Sequence, residues 1–149
     1  MSIAERSLRM ERLLQAPVET VWEAWTNPEQ IASWWGPSGF SSDIHKMELV
    51  PGGEWILTMI GPDGKRFPNK SSFVEIVPLK KIVFRHFNPN YEATILFESQ
   101  GGQTMMDWTM TFDTTELYEI VVKTFRADEG FRQSGDKLEE QLRKISLGQ

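Results

Sequence analysis

The alternation in residues 103–112 constrains this chain more than any other feature. Thr104, Met106, Trp108, Met110 and Phe112 fall on one face, with Met105, Asp107, Thr109 and Thr111 on the other. A period of two with one apolar and one mostly polar face describes an antiparallel strand wetted on one side only. Tyr91, Ala93, Ile95 and Phe97 repeat the pattern one strand earlier, across a turn at Gly101-Gly102. A sheet built this way needs another layer over its apolar face.

That layer follows in the sequence. Leu117, Ile120, Val121 and Phe125 begin a stripe that continues through Phe131, Gly135, Leu138, Leu142 and Ile145 at three- and four-residue steps. This is the spacing of a buried helix face. Asp113-x-x-Glu116 resembles an N-terminal capping pair. The stripe is compatible with one helix or with two pieces broken near Arg126 to Asp128.

Upstream, Ser7 to Leu14 reads as a strand in which Leu8, Met10, Arg12 and Leu14 share a face. Residues 16–40 then hold four of the six tryptophans. Val18, Val21, Trp22 and Trp25 trace one helix face, with Pro17 suited to the first helical position. Asn27 and Pro28 suit the N-cap and N1 of a second short helix, which Gly36-Pro37 stops. Four strands follow, Ile44 to Val50, Glu54 to Ile60, Arg66 to Val77 and Ile82 to Phe87, separated by Pro- and Gly-rich turns. The expected order is β-α-α-β6-α, about seven strands and a long C-terminal helix. It describes one α+β domain over residues 1–149.

Composition narrows the function classes. A net charge of -5 argues against a nucleic-acid or anionic-membrane surface. The absence of cysteine removes disulfides, thiol nucleophiles and cysteine-ligated metals. The charged N-terminus lacks an apolar signal segment and no run reaches membrane-spanning length, so a cytoplasmic location is expected. A homodimer formed by pairing of an apolar edge strand is compatible with the pattern.

Glycine inside a helix costs about 1 kcal/mol relative to alanine, so Gly130 and Gly135 call for a reason. One reason is close approach of helix and sheet, or a helix break. Another is a volume left empty opposite large rings such as Trp55, Phe84, Tyr91 and Trp108, which would make an apolar ligand pocket.

Residues 16–37, A-P-x-E-x-V-W-x-A-W-T-N-P-E-x-I-x-x-W-W-G-P, resemble the activator of heat shock protein 90 ATPase homologue-like branch of the START/SRPBCC (Bet-v-type) superfamily. E-L-V-P-G-G at Glu48 to Gly53, G-P-D-G at Gly61 to Gly64 and E-I-V-P-L-K-K-I-V-F at Glu75 to Phe84 match in order. Glu129-Gly130-Phe131 resembles the E-G-W of the terminal helix, with phenylalanine replacing tryptophan. The resemblance implies a helix-grip fold, in which a curved antiparallel sheet wraps a long C-terminal helix around a cavity for small hydrophobic molecules. The one-sided sheet and small-residue helix agree with that geometry.

Catalytic and metal-binding signatures are missing from the sequence. His45 and His86, the only histidines, lie in predicted strands, and the face of the Ile82 to Phe87 strand that turns inward is open. No metal-ligand spacing, nucleophile elbow or phosphate loop is present, so neither cofactor, metal nor catalytic residue is assigned. The expected function is binding of a small hydrophobic or aromatic ligand. Trp35, Phe40, Trp55, Met59, Phe84, Trp108, Met110 and Phe131 would form walls around Gly135, with Arg12, His86 and Tyr91 orienting polar ends. The glycine-flanked loop between Trp35 and Phe40 would act as an entrance gate. A lyase or cyclase using His86 or Tyr91, and a chaperone-linked interaction protein with an exposed apolar patch, are the alternatives.

Overall fold

The computed structural model describes residues 3–146. The expected alternation is realised as register: β7 (Gln103–Phe112) lies antiparallel between β1 (Ser7–Leu14) and β6 (Tyr91–Gln100), pairing Met10 with Trp108 and Ile95 with Trp108. The sheet continues through β5 (Lys81–Phe87), β4 (Arg66–Val77), β3 (Glu54–Ile60) and β2 (Ser41–Met47). All neighbours are antiparallel, in the order β1-β7-β6-β5-β4-β3-β2, which leaves β1 and β2 as edges. The inner face carries Leu14, Trp55, Phe73, Ile82, Phe84, Ala93, Ile95, Met106 and Trp108, all buried. Ile82, Phe84 and His86 are therefore the inward side of β5.

Two short helices close one end, α1 (Val18–Thr26) and α2 (Pro28–Trp34). Asn27 caps α2 as expected, its Oδ1 accepting from the amides of Glu29 (2.9 Å) and Gln30 (3.2 Å). Pro17 sits one residue earlier than expected, at the N-cap of α1, with extended ψ. Strand β2 also runs about three residues earlier than the apolar pattern suggested. Residues 48–53 fold into a tight loop instead, with Glu48 N bonded to Glu54 O and Gly53 N to Val50 O.

The terminal stripe divides into α3 (Thr115–Phe125) and α4 (Ala127–Ser146) at Arg126, which adopts a left-handed conformation (φ 56, ψ 43). The cap of α3 is Thr114, which accepts from Leu117 N, rather than Asp113, whose carboxylate pairs with Arg85. Helix α4 lies over the inner face with Phe131, Ser134, Gly135, Leu138 and Leu142 buried. The architecture is α+β, a curved sheet gripping a long C-terminal helix.

Candidate functional site

The tryptophans of residues 16–40 meet the sheet in one continuous cluster. Trp25 stands edge-on to Trp34 and Trp108, with ring centroids 4.8 Å apart in each case. Trp35 stacks near-parallel on Trp108 at 5.6 Å, and Phe131 of α4 meets Trp108 edge-on at 4.7 Å. The indole N–H groups of Trp25, Trp55 and Trp108 are buried with no hydrogen-bond acceptor among the described residues. The perpendicular rings around them offer π faces, a weaker partner than a carbonyl.

Beside this cluster a cavity of about 620 Å³ opens between the sheet, the Trp35–Phe40 loop and the α3–α4 junction. The structure brings Trp35, Phe40, Met59, His86, Tyr91, Trp108, Met110 and Phe131 together in its lining. Gly36 serves the close packing there: its φ is +103, and a Cβ would lie 2.8 Å from the methyl of Met59. Trp55 and Phe84 are buried one layer deeper, touching Trp35 at 4.9 and 6.1 Å between centroids, and do not reach the lining.

Arg12 and Gly135 lie elsewhere. Helix α4 approaches β1 so closely at Gly135 that a Cβ would stand 2.6 Å from Met10 Sδ and 2.8 Å from Arg12 Cζ. No hollow exists at this glycine; side chains of β1 fill it. The Arg12 guanidinium is satisfied within the protein, donating to Asp136 (2.9 Å), Glu139 (2.5 Å) and the Arg132 carbonyl (3.2 Å). Gly130 does border the cavity, in contact with Pro37, whose Cγ would lie 3.2 Å from an added Cβ.

The Trp35–Phe40 loop is fastened to α4. Ser38 N donates to Gln133 Oε1 at 3.0 Å, and Lys137 Nζ donates to the carbonyls of Pro37 (3.3 Å) and Phe40 (3.1 Å). Burial pushes the Lys137 ammonium below its ordinary value. These ties do not suit a freely swinging gate.

His86 is the polar centre of the inner wall. Its ring stacks on Tyr91 at 4.6 Å, with Nδ1 2.8 Å from Pro89 O and Nε2 2.7 Å from Asn69 Oδ1. Burial pushes the imidazole below its ordinary value, and the bond to the Pro89 carbonyl partly opposes that. A neutral ring has one N–H but faces two oxygen acceptors. Turning the Asn69 amide would satisfy Nε2 but lose the bond from Asn69 Nδ2 to Phe67 O (3.0 Å). Burial raises the Tyr91 phenol above its ordinary value, so it stays protonated. No group of three or more His, Cys, Asp or Glu able to hold a metal occurs among the described residues.

A model of the family described as activator of Hsp90 ATPase homolog 1-like protein matches residues 15–143. The chain belongs to this family. A crystal structure of another protein, from Nitrosomonas europaea, is 27% identical, covers 97% of this chain and 98% of that one, and superposes with a TM-score of 0.87. A solution structure from Arthrobacter aurescens (22% identity, 97% and 90% coverage, TM-score 0.90) has the same fold. So does the AHSA1-like protein from Aeromonas hydrophila (22%, 95% and 94%, 0.79). No curated protein matches the chain in sequence. Among the described residues, no helix is long and apolar enough to cross a membrane.

Several residues of the cavity in this AHSA1-like protein escape sequence reasoning. Asn69 and Pro89 engage His86, Ser134 lies in the helix wall, and Phe125, Arg126 and Gln133 stand at the rim. Asn88-Pro89-Asn90 reads only as a turn, and Asn69 follows an edge-like Pro68. Nothing local marks either as a partner for a histidine on another strand. Ser134 alone carried a signal, as a small polar residue within the apolar stripe of α4.

Proposed function

We propose that this family member is a cytoplasmic receptor for a small hydrophobic or aromatic molecule held between the sheet and the C-terminal helix. The observation that carries this reading is the cavity of about 620 Å³ bounded by aromatic and methionine side chains. Its size falls within the roughly 300–1,000 Å³ of typical ligand pockets. Trp35, Phe40, Trp108 and Phe131 supply flat apolar walls, and Met59 and Met110 supply adaptable ones suited to more than one guest. Tyr91 offers a polar contact on the sheet side, and His86, stacked on it, offers its ring. Both His86 nitrogens already face oxygen atoms of the protein, Pro89 O and Asn69 Oδ1, which favours binding over proton transfer.

Native mass spectrometry of protein purified from its own cells tests the reading, together with fluorescence titration by the neutral dye N-phenyl-1-naphthylamine. A co-purifying small molecule, or saturable one-to-one dye binding that quenches tryptophan emission, is expected. A bare chain that shows no saturable dye binding would overturn the proposal.

A further inference from the structure

Resting on the cavity reading, we propose that the guest is an anion: an apolar, ring-bearing molecule with one carboxylate or equivalent oxyanion, received at the rim by Arg126. The charge inventory of the lining carries this. Glu129 is its only carboxylate, and that group is already bonded by Arg132 and Gln133. His86 is disfavoured as a cation by burial. Arg126 is thus the one lining group that brings a full positive charge.

That charge has no partner among the described residues. Among the described residues Arg126 forms no ion pair or hydrogen bond through its guanidinium. Every other arginine does: Arg6 donates to the Phe112 carbonyl, and the rest meet carboxylates. Asp128 and Glu129, two and three residues away, do not pair with it. The residue also holds a left-handed backbone conformation at the α3–α4 junction, a place where glycine is usual and a side chain is carried at a cost. Phe125, next to it, is 72% exposed at the same rim. An apolar ring beside an unpaired guanidinium forms an amphipathic lip, and a planar guanidinium suits a carboxylate through paired hydrogen bonds.

Deeper in, the polar groups are uncharged. The hydroxyls of Tyr91 and Ser134 take no hydrogen bond from the described residues, although both residues are more than nine-tenths buried in the cavity wall. They suit neutral oxygen or nitrogen atoms on the body of the guest. The arrangement therefore orients the guest, with its charged end at Arg126 and its rings among Trp35, Trp108 and Phe131.

Two dyes with the same ring system separate the charge from the apolar body: 8-anilinonaphthalene-1-sulfonate and its neutral counterpart N-phenyl-1-naphthylamine. Each is titrated at low ionic strength into the wild-type protein, Arg126→Gln and Arg126→Gly. Glycine suits the left-handed position, so Arg126→Gly removes the cation without threatening the fold. The ratio of sulfonate to neutral affinity is expected to fall about tenfold in both variants, and to fall in wild type as salt is raised. An unchanged ratio with saturable neutral-dye binding overturns the anion assignment alone. Absence of neutral-dye binding to wild type overturns the cavity reading and this inference with it.

Discussion

Replacing Gly135 by alanine tests the claim that α4 is pressed against β1 rather than standing over a void. Alanine is a better helix former than glycine by about 1 kcal/mol, so an unobstructed Gly135→Ala would stabilise by roughly that amount. The new Cβ would instead lie 2.6 Å from Sδ and 2.8 Å from Cε of Met10, and 2.8 Å from Arg12 Cζ. Met10 is buried in the core, and Arg12 is held by Asp136, Glu139 and the Arg132 carbonyl, so neither end retreats freely. Overpacking of this kind costs about 1–3 kcal/mol. The net expectation is destabilisation of about 0–2 kcal/mol, centred near 1, or a fall of a few degrees in Tm for a chain of this size. Urea unfolding followed by circular dichroism measures it. In a Met10→Ala background the same substitution should be less harmful by about 1 kcal/mol, because its main obstacle is gone. Gly130→Ala provides a contrast. Its Cβ would approach only Pro37, at 3.2 Å, which a shift of a few tenths of an ångström relieves, so the helix gain should dominate. A full 1 kcal/mol stabilisation by Gly135→Ala in the wild-type background would refute the close-approach argument.

Two further perturbations probe the walls of the cavity. Burial holds the His86 imidazole below its ordinary value, so as pH falls the unfolded chain takes up this proton before the folded one. The contribution is intact above about pH 6.5 and is lost below it, by up to about 1.4 kcal/mol per pH unit until the native ring titrates. Urea midpoints of wild type and His86→Gln measured from pH 7.5 to 5.5 should diverge in that direction, and parallel curves would contradict it. In Lys137→Met the carbonyls of Pro37 and Phe40 lose their donor while a half-buried charge is removed. Global stability should then change by no more than about 1 kcal/mol, whereas the Ser38 amide exchanges markedly faster. Unchanged Ser38 protection would show that the loop is held by other means.

The parts of this fold legible in the sequence are those set by near neighbours along the chain. Alternation from Thr104 to Phe112 and from Tyr91 to Phe97 needs only the period of a strand and a one-sided solvent. The cap at Asn27 needs only two nearby amides. The break between α3 and α4 was visible as a region but not as a residue, because Arg126 takes a conformation that its chemistry does not advertise. The shift of β2 has the same origin. An apolar run through Val50 suggested a strand, while the close fit of Gly53 against the Glu48 carbonyl set the turn. In the site, the ring-bearing walls were readable because large apolar residues on inward faces must converge. The fates of Arg12 and Gly135 were not, since each is decided by a residue more than a hundred positions away on the partner element. Inward direction alone did not distinguish lining from core, so Trp55 and Phe84 belong to the layer beneath.

Trp25, Trp34, Trp35, Trp55 and Trp108 stand within van der Waals reach of one another through successive ring contacts. At such spacings their excited states are coupled, and light absorbed by one indole is shared with the rest. A molecule touching Trp35 alone would therefore perturb the emission and near-ultraviolet dichroism of the whole array. The chain carries its own optical antenna, and its spectral response reports occupancy as a collective signal that single-tryptophan replacements would divide unevenly.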